Sequence, residues 1–361
     1  MRTPILAAAA AAAAASFAPA HAQSSVTLFG VIDATITRQS TDNRHRVVLQ
    51  GDGNTSSRLG FRGVEDLGGG LSANFWLEAG FNPDTGLGAA SNSNNQTSGI
   101  AAAPAGTQSL TFGRRSTVGL AGSFGEIRFG RDYVPSFGNL TTSFHPFGTN
   151  GVGSSLVLYN PVAAGGTTAR TGVRASNAVN YILPGNLGGF YGNAMVAMGE
   201  NASNAGATRD DGDYRGVRVG WRGADWNMSA STGTTDYATG DYRQSNAGIS
   251  YQWGTVQLMY LWGRNDVGMT RTTAQTIGTQ WRLGPGELRA MYGRLKARGA
   301  ANDATHIAFG YVYDLSKRTS LYATYATVDN KGTGTAFDVG LAVTNAGGKS
   351  TGYEVGIKHS F

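Results

Sequence analysis

Strict two-residue alternation of apolar and polar side chains is the feature that most limits how this chain can fold. The final segment, TGYEVGIKHSF, shows it most clearly. One face carries Tyr353, Val355, Ile357, His359 and Phe361, and the other carries Glu354, Gly356, Lys358 and Ser360. This period is typical of a β-strand with one apolar and one polar face. We therefore expect the chain to end inside a strand, on an aromatic residue.

The same alternation recurs along the whole chain after residue 22. Clear examples are SVTLFGVIDATIT, GVRVGWRG, DWNMSAST and THIAFGYVYD. The runs are about 9–13 residues long, the length of a tilted strand that crosses a bilayer. Short turns such as DLSKR broadly alternate with long polar connections at 82–107 and 330–350. About sixteen candidate strands with this asymmetry predict an all-β fold, a transmembrane antiparallel β-barrel.

A secreted soluble β-sandwich or propeller is the alternative, because its strands also alternate. The apolar face of a soluble sheet is a packed core rich in Val, Leu and Ile. Here that face often carries Tyr and Trp near strand ends, as in the aromatic girdle of a membrane barrel. The pattern favours the barrel. In a closed barrel the last strand pairs with the first, which places Phe361 on the lipid-facing side.

The first 22 residues, MRTPILAAAAAAAAASFAPAHA, differ from the rest of the chain. Arg2 precedes an apolar run, and Ala20-His21-Ala22 has the form of a small-residue cleavage site. This pattern predicts a signal peptide over 1–22 and a barrel domain over 23–361. An uncleaved membrane anchor is the alternative, but the run is rich in Ala and Pro19 breaks it.

Composition and motifs argue against several other functions. The formal net charge is +6, which would suit nucleic acid, but secretion and the absence of any Lys/Arg run argue against that partner. The sequence has no Cys, its five His are dispersed, and it contains no GxSxG or P-loop motif. We therefore predict no enzymatic activity, no cofactor and no metal. In RDDGDYRG, Asp210, Asp211 and Asp213 lack the remaining spacing of a calcium loop and are expected to be solvated.

Several segments, taken in order, resemble the general porins of Gram-negative outer membranes, most closely the neisserial and burkholderial type. They are SSVTLFGVIDA, SRLGFRGVEDLGGGL, FWLEAGFNPDTG, FGRRSTVGLAGSFGEIRFGRDY, DLSKRTSLYATYA and VGIKHSF. The resemblance covers essentially everything after the leader. It implies a homotrimer of sixteen-stranded barrels in the outer membrane that passes small hydrophilic solutes and ions passively. The implied partners are outer-membrane lipid, lipopolysaccharide and the barrel-assembly machinery, which would recognise Phe361.

The resemblance also implies a constriction with basic residues on one wall. Arg58 matches a pore-wall arginine and alternates with Leu59 and Phe61, and Arg114 matches the next position, in register with Ser116. The alternation along the strand places such arginines on the face that points into the lumen. A lipid-facing arginine at the bilayer midplane would cost about 2–4 kcal/mol in a barrel. Wall positions outside the narrowest point remain the alternative. Two acidic residues are also candidates: Glu78, which would orient the arginines, and Asp33, which lies on a lumen face. The third basic candidate is Arg174, which shares a face with Asn180, and Arg170 is the alternative to it.

The third external loop is expected to fold into the lumen and to include residues 131–151, RDYVPSFGNLTTSFHPFGTNG. After Asp132 this stretch contains no carboxylate, so we expect little negative charge opposite the arginines of the wall. Phe137, Phe144, His145 and Phe147 would form an aromatic lip, with His145 as a packing residue rather than a titrating gate.

These features together predict a non-saturating, anion-selective pore. A substrate-specific channel for phosphate or an organic acid, and a non-conducting adhesin or structural barrel, are the alternatives. The Ala-rich stretch GIAAAPAG in the second loop is expected to pack on a neighbouring subunit.

Overall fold

The computed structural model describes residues 25–89, 91, 94–98, 109–159, 170–298 and 302–361. The predicted leader and the GIAAAPAG stretch lie outside these residues. The described strands are β1 (Ser25–Thr41), β2 (Arg44–Gly51), β3 (Arg58–Gly68), β4 (Leu71–Gly80), β5 (Arg115–Gly122), β6 (Gly125–Tyr133), β7 (Arg174–Ile182), β8 (Phe190–Ala197), β9 (Tyr214–Arg222), β10 (Trp226–Thr235), β11 (Tyr242–Trp253), β12 (Val256–Val267), β13 (Thr270–Leu283), β14 (Gly286–Arg298), β15 (Ala304–Asp314), β16 (Thr319–Asn330) and β17 (Lys349–Ser360).

The strands form one closed antiparallel barrel. Each strand from β3 onward pairs with the next along the chain, and β17 pairs back with β1, for example Val31 with Ser360. The other edge of β1 pairs with β2 at one end and with β3 at the other. These two short strands therefore share one place in the ring, and the seventeen strands occupy sixteen positions. The predicted sixteen-stranded barrel is confirmed.

The two faces of the wall differ as the alternation predicts. On β1, Ile32 and Ile36 are exposed on the outside, while Asp33, Thr35 and Thr37 are buried on the inside. Apolar side chains on the outside of the barrel are stable in a membrane, because the lipid hydrocarbon contacts them and they need no protein core to cover them. Among the described residues, no helix is both long and apolar enough to cross a membrane.

The connection between β6 and β7 lies against the inner face of the wall. The connection is described over residues 134–159 and 170–173, and the longer part contains a 3-10 helix at Pro135–Asn139 and a single helical turn, α1, at Leu156–Tyr159. We call residues 134–159 the inner loop. Its contacts reach strands far apart in the ring. Asn246 Nδ2 on β11 donates to Ser136 O (2.8 Å), Gln280 Nε2 on β13 donates to Pro146 O (2.8 Å), and Val152 N donates to Glu354 Oε2 on β17 (3.2 Å).

A row of glycines on β11–β15 and β17 makes room for the bulky side chains of the inner loop. A Cβ at Gly263 would lie 2.6 Å from the Tyr159 ring, and one at Gly293 would lie 2.8 Å from Leu158. We call the full set the glycine row: Gly248, Gly263, Gly278, Gly293, Gly310 and Gly352. Because interiors are packed without spare volume, larger residues here would displace the loop. The glycine row explains part of the high Gly content.

The last residue is part of the barrel wall. Gly30 N donates to Phe361 O (3.0 Å), and Phe361 N donates to Gly30 O (3.1 Å). The Phe361 ring covers Gly30, where an added Cβ would lie 2.8 Å from ring atom Cε2 and 2.9 Å from Arg58 O. The glycine thus lets the terminal aromatic ring close over the junction between the first and last strands.

Gly30→Ala should destabilise the barrel, because the new methyl group cannot avoid both the Phe361 ring and the Arg58 carbonyl. We expect the free energy of unfolding in detergent, measured by urea titration, to fall by about 1–3 kcal/mol. Gly185→Ala is the matched control, since a Cβ there meets nothing within 4 Å. Equal urea midpoints for the two variants would contradict the packing argument.

Candidate pore constriction

A cavity of about 1090 Å³ lies between the wall and the inner loop. Its lining is strongly basic. Among the described residues that line it, five are arginines and one is a carboxylate, Asp52. The arginines are Arg58, Arg114, Arg174, Arg218 and Arg222. The three arginines named from the sequence therefore share one cavity with two others.

Glu78 on β4 holds the first two of these arginines together. Its Oε1 lies 2.6 Å from Arg114 Nε and 4.0 Å from Arg58 NH1, and its Oε2 accepts from Trp76 Nε1 (3.1 Å). The carboxylate is 5% exposed, so its charge depends on these partners. Arg114 makes the short, charge-assisted bond, and Arg58 is left freer to face the cavity.

The expected register of Arg114 is wrong, although the side chain does reach the cavity. β5 begins at Arg115, and Ser116 shares a face with Val118, which is 58% exposed on the outside. Arg114 precedes the strand, so strand alternation does not determine its direction. Arg115 is the strand residue that faces inward, with its NH2 3.1 Å from Asp132 Oδ2 and its guanidinium 4.7 Å from the Trp76 ring centroid.

Tyr133 links two arginines and was not identified from the sequence. Its hydroxyl accepts from Arg114 NH2 (2.8 Å) and from Arg174 NH2 (2.9 Å). The Arg174 guanidinium also lies 4.5 Å from the Tyr133 ring centroid, and Phe137 stacks on the same ring at 5.2 Å. Tyr133 thus orients cations by a hydroxyl and a π face together. A lone tyrosine at the end of a strand gave no signal for this role.

Arg218 and Arg222 on β9 complete the basic lining. The alternation of GVRVGWRG predicted that both face inward, but nothing in the sequence placed them at the constriction. Arg218 Nε donates to Asn139 Oδ1 (2.7 Å) of the inner loop, and both guanidinium groups lie over the Tyr191 ring, at 5.1 and 5.7 Å. In the described part of the chain, Arg174, Arg218 and Arg222 have no carboxylate within 4.0 Å.

The two other acidic candidates, Asp33 and Asp132, do not line this cavity. Asp33 is fully buried, and its carboxylate accepts from the backbone N–H groups of Gly53, Asn54 and Thr55 and from the Tyr322 hydroxyl. It therefore anchors the chain between β2 and β3. Asp132 is buried beside Arg115 and Arg128, at 3.1 and 3.3 Å, so its charge is already paired.

The inner loop does not present the aromatic lip that we expected. Phe144, His145 and Phe147 are 0%, 1% and 5% exposed, and the two phenylalanines cover Gly248 and Gly310 of the glycine row. Phe137 alone of the four lines the cavity. The reason is physical: glycines on the wall leave space that these apolar rings fill, which removes them from water. The expectation that His145 packs within the loop agrees with its burial.

Asp211 is also not the solvated carboxylate that the sequence suggested. It is 1% exposed and accepts from the backbone N–H groups of Thr97 (3.2 Å) and Ser98 (2.7 Å). Burial alone would raise the pKa of Asp211, but the hydrogen bonds from Ser98 and Thr97 hold it below the usual value. Asp211 therefore ties the connection between β4 and β5 to the connection between β8 and β9. Among the described residues, no group of three His, Cys or acidic side chains could hold a metal ion.

Comparison with known proteins agrees with this architecture. A family profile described as Gram-negative porin matches residues 7–333. Outer membrane porin protein 32 of Delftia acidovorans is 35% identical, over 95% of each chain. The major outer membrane protein P.IB of Neisseria meningitidis serogroup B is 26% identical, over 90% of this chain and 95% of the relative.

Solved structures give the same result. The anion-selective porin from Comamonas acidovorans is 34% identical and superposes with a TM-score of 0.79, over 94% of this chain and 100% of that chain. The trimer form of OmpT from Vibrio cholerae is 14% identical, with a TM-score of 0.62 over 94% and 99% of the two chains, which shows the shared fold alone. The resemblance stated from the sequence is confirmed.

His145→Gln should leave the pH dependence of single-channel conductance unchanged between pH 5 and 8. Burial, and then the neighbouring His306, lower the pKa of His145 to about 3. A histidine with so low a pKa is neutral across this range and gains a proton only as the pH falls towards 3. His45→Gln, at an exposed histidine of β2, is the matched control. A difference between His145→Gln and the parent protein that develops below pH 7 would show that His145 titrates.

Proposed function

Because this chain belongs to the Gram-negative porin family and forms a passive diffusion channel in the outer membrane, we propose that its pore favours small anions over cations. The supporting observation is the charge of the cavity beside the inner loop, where the described lining residues include five arginines and one carboxylate. The inner loop adds no negative charge, since residues 133–173 contain no Asp or Glu. The printed description of the Comamonas acidovorans relative as anion-selective agrees with this proposal.

The size of the preference follows from Coulomb's law. An arginine about 7 Å from a passing ion, at an effective dielectric constant of ~40, contributes roughly 1 kcal/mol. Two such residues favour an anion by ~2 kcal/mol, which is about thirtyfold in dilute salt. At physiological ionic strength the Debye length is about 8 Å, so the preference becomes modest. The electrostatic effect is therefore strongest in dilute salt.

We assign Arg58, Arg114 and Arg174 to the constriction, with Glu78 and Tyr133 as the groups that orient them. Arg218 and Arg222 extend the basic lining to β9. Each of the five arginines stabilises an anion by charge alone, without a covalent step. The chain accordingly works as a channel and not as an enzyme, a role supported by porin relatives that match nearly its whole length.

Further parts of the proposal concern maturation and assembly. Cleavage before Gln23 releases the mature protein, and an intact mass that retains residues 1–22 would contradict this. The mature barrel assembles as a homotrimer among outer-membrane lipid and lipopolysaccharide, and a monomeric mass in native detergent would contradict that. Phe361, at the junction of β1 and β17, serves as the signal that the barrel-assembly machinery recognises.

Replacing Arg58 and Arg114 together with Ser should lower the anion preference and raise the unit conductance, because two charges and two long side chains leave the cavity. The measurement is the reversal potential of a planar bilayer in a KCl gradient. Arg222→Ser should move the potential in the same direction without disturbing Glu78. Arg209→Ser, at an exposed loop residue paired with Asp210, is the control and should change nothing. A parent channel that prefers K⁺ would overturn the proposal.

Conductance should rise linearly with the concentration of chloride, phosphate or a small organic acid. A wide pore whose arginines act at a distance does not hold one solute long enough to saturate. Single-channel recordings over a concentration series measure this. Saturation by one anion would favour the substrate-specific channel instead, and a bilayer without steady current would favour a non-conducting adhesin or structural barrel.

A further inference from the structure

The break between β2 and β3 sends a short piece of the wall into the lumen. We call this piece, Asp52–Ser57, the inward segment. Its backbone N–H groups bind the inward-facing carboxylate of Asp33, as described above. Its Asn54 Oδ1 also accepts from Arg289 NH1 (2.9 Å) on β14, a strand that is four positions away from β1 around the ring. The segment therefore projects towards the middle of the barrel.

The inward segment meets the inner loop directly. Gly151 N donates to Asp52 O (3.0 Å), and Ser56 Oγ donates to Asn150 Oδ1 (2.7 Å). Gly151 has a φ of 67°, and a Cβ at this residue would collide with the Gly53 carbonyl, so only glycine allows the approach. The opening is thus bounded by two elements that touch, the inner loop and a piece of the wall.

Asp52 is held in a demanding position within this segment. Its φ is 70°, a left-handed conformation that Asp and Asn tolerate better than most residues. Its N–H donates to Asp33 O (3.2 Å), and its Oδ1 accepts from Ser57 N (2.6 Å). With the backbone and one carboxylate oxygen fixed, the negative charge has a defined place in the lining. Asp52 also interacts electrostatically with Arg114.

We propose that the inward segment is a second constriction element and that Asp52 is a specificity-determining residue that limits the preference for anions. Asp52 is the single carboxylate among the described residues that line a cavity with five arginines. Its charge repels anions and attracts cations where the arginines do the opposite. The inference rests on the proposed porin function and adds a residue that opposes the arginines.

A purely structural role for Asp52 is separated from the electrostatic role by the choice of variants. Asp52→Asn keeps the oxygen that accepts from Ser57 N and keeps a side chain that tolerates a positive φ, but it removes the charge. Asp52→Glu keeps the charge. Asp66→Asn is the matched charge control. Asp66 is exposed at the opposite end of β3, and its Oδ1 accepts from the N–H of Gly68, as the Oδ1 of Asp52 accepts from Ser57 N.

The experiment measures reversal potentials of the four purified channels in a KCl gradient at about 0.1 M mean salt. We expect the Cl⁻/K⁺ permeability ratio of Asp52→Asn to be about threefold higher than that of the parent. This is the effect expected when one unit charge about 7 Å from a passing ion is removed and salt partly screens the interaction. Asp52→Glu and Asp66→Asn should match the parent. The urea midpoints of the parent, Asp52→Asn and Asp66→Asn should agree, which excludes a folding defect as the cause of the shift.

The outcomes separate this inference from the proposed function. The sign of the parent reversal potential tests the anion preference, and the shift from parent to Asp52→Asn tests Asp52. A ratio for Asp52→Asn equal to that of Asp66→Asn overturns the inference even when the parent is anion-selective. An equal shift in Asp52→Asn and Asp52→Glu also overturns it, because the effect would then follow shape instead of charge.

Discussion

Every backbone N–H and C=O in a membrane-spanning wall needs a partner, because hydrocarbon supplies none. In this barrel β1 meets that requirement on both edges, with β17 on one side and β2 and β3 on the other. The break between β2 and β3 leaves several N–H groups without strand partners, and the Asp33 carboxylate supplies acceptors for three of them. A buried charge is thus retained in the wall because it satisfies backbone donors.

The interior follows a second rule, that a loop inside a barrel needs space at the wall. The glycine row supplies it and draws the large apolar side chains of the inner loop out of the water. What remains exposed to the opening is mostly polar or cationic. Arginine suits this surface because its guanidinium can stack on Tyr133 or Tyr191 and still present charge to a passing ion.

Strand alternation was sufficient to predict the barrel, its sixteen positions and the direction of most wall residues. Val217 and Val219 face outward and Arg218 faces inward, as the period requires. The errors arose where the period stops. Arg114 precedes its strand, and a β-bulge in β7, with Asn177 at a φ of 56°, interrupts the alternation between Asn180 and Arg174.

Other misplacements depended on tertiary contacts that no local pattern encodes. Whether a phenylalanine of the loop faces the opening or the wall depends on glycines that are about a hundred residues away in sequence, as with Phe144 and Gly248. The stretch GDGNTSSR resembles an ordinary turn, so nothing in it revealed a break in a strand. Asp52 became recognisable only when its neighbours in space were known.

The reach of the inner loop has a consequence for biogenesis. The loop follows β6, yet Val152 binds Glu354 on β17, and Gly151 meets a segment whose Asp33 anchor is bonded to Tyr322 on β16. Val152 and Glu354 are 202 residues apart along the chain. These contacts can form only when β16 and β17 are in place, so the inner loop completes its packing after the C-terminal strands have joined the sheet.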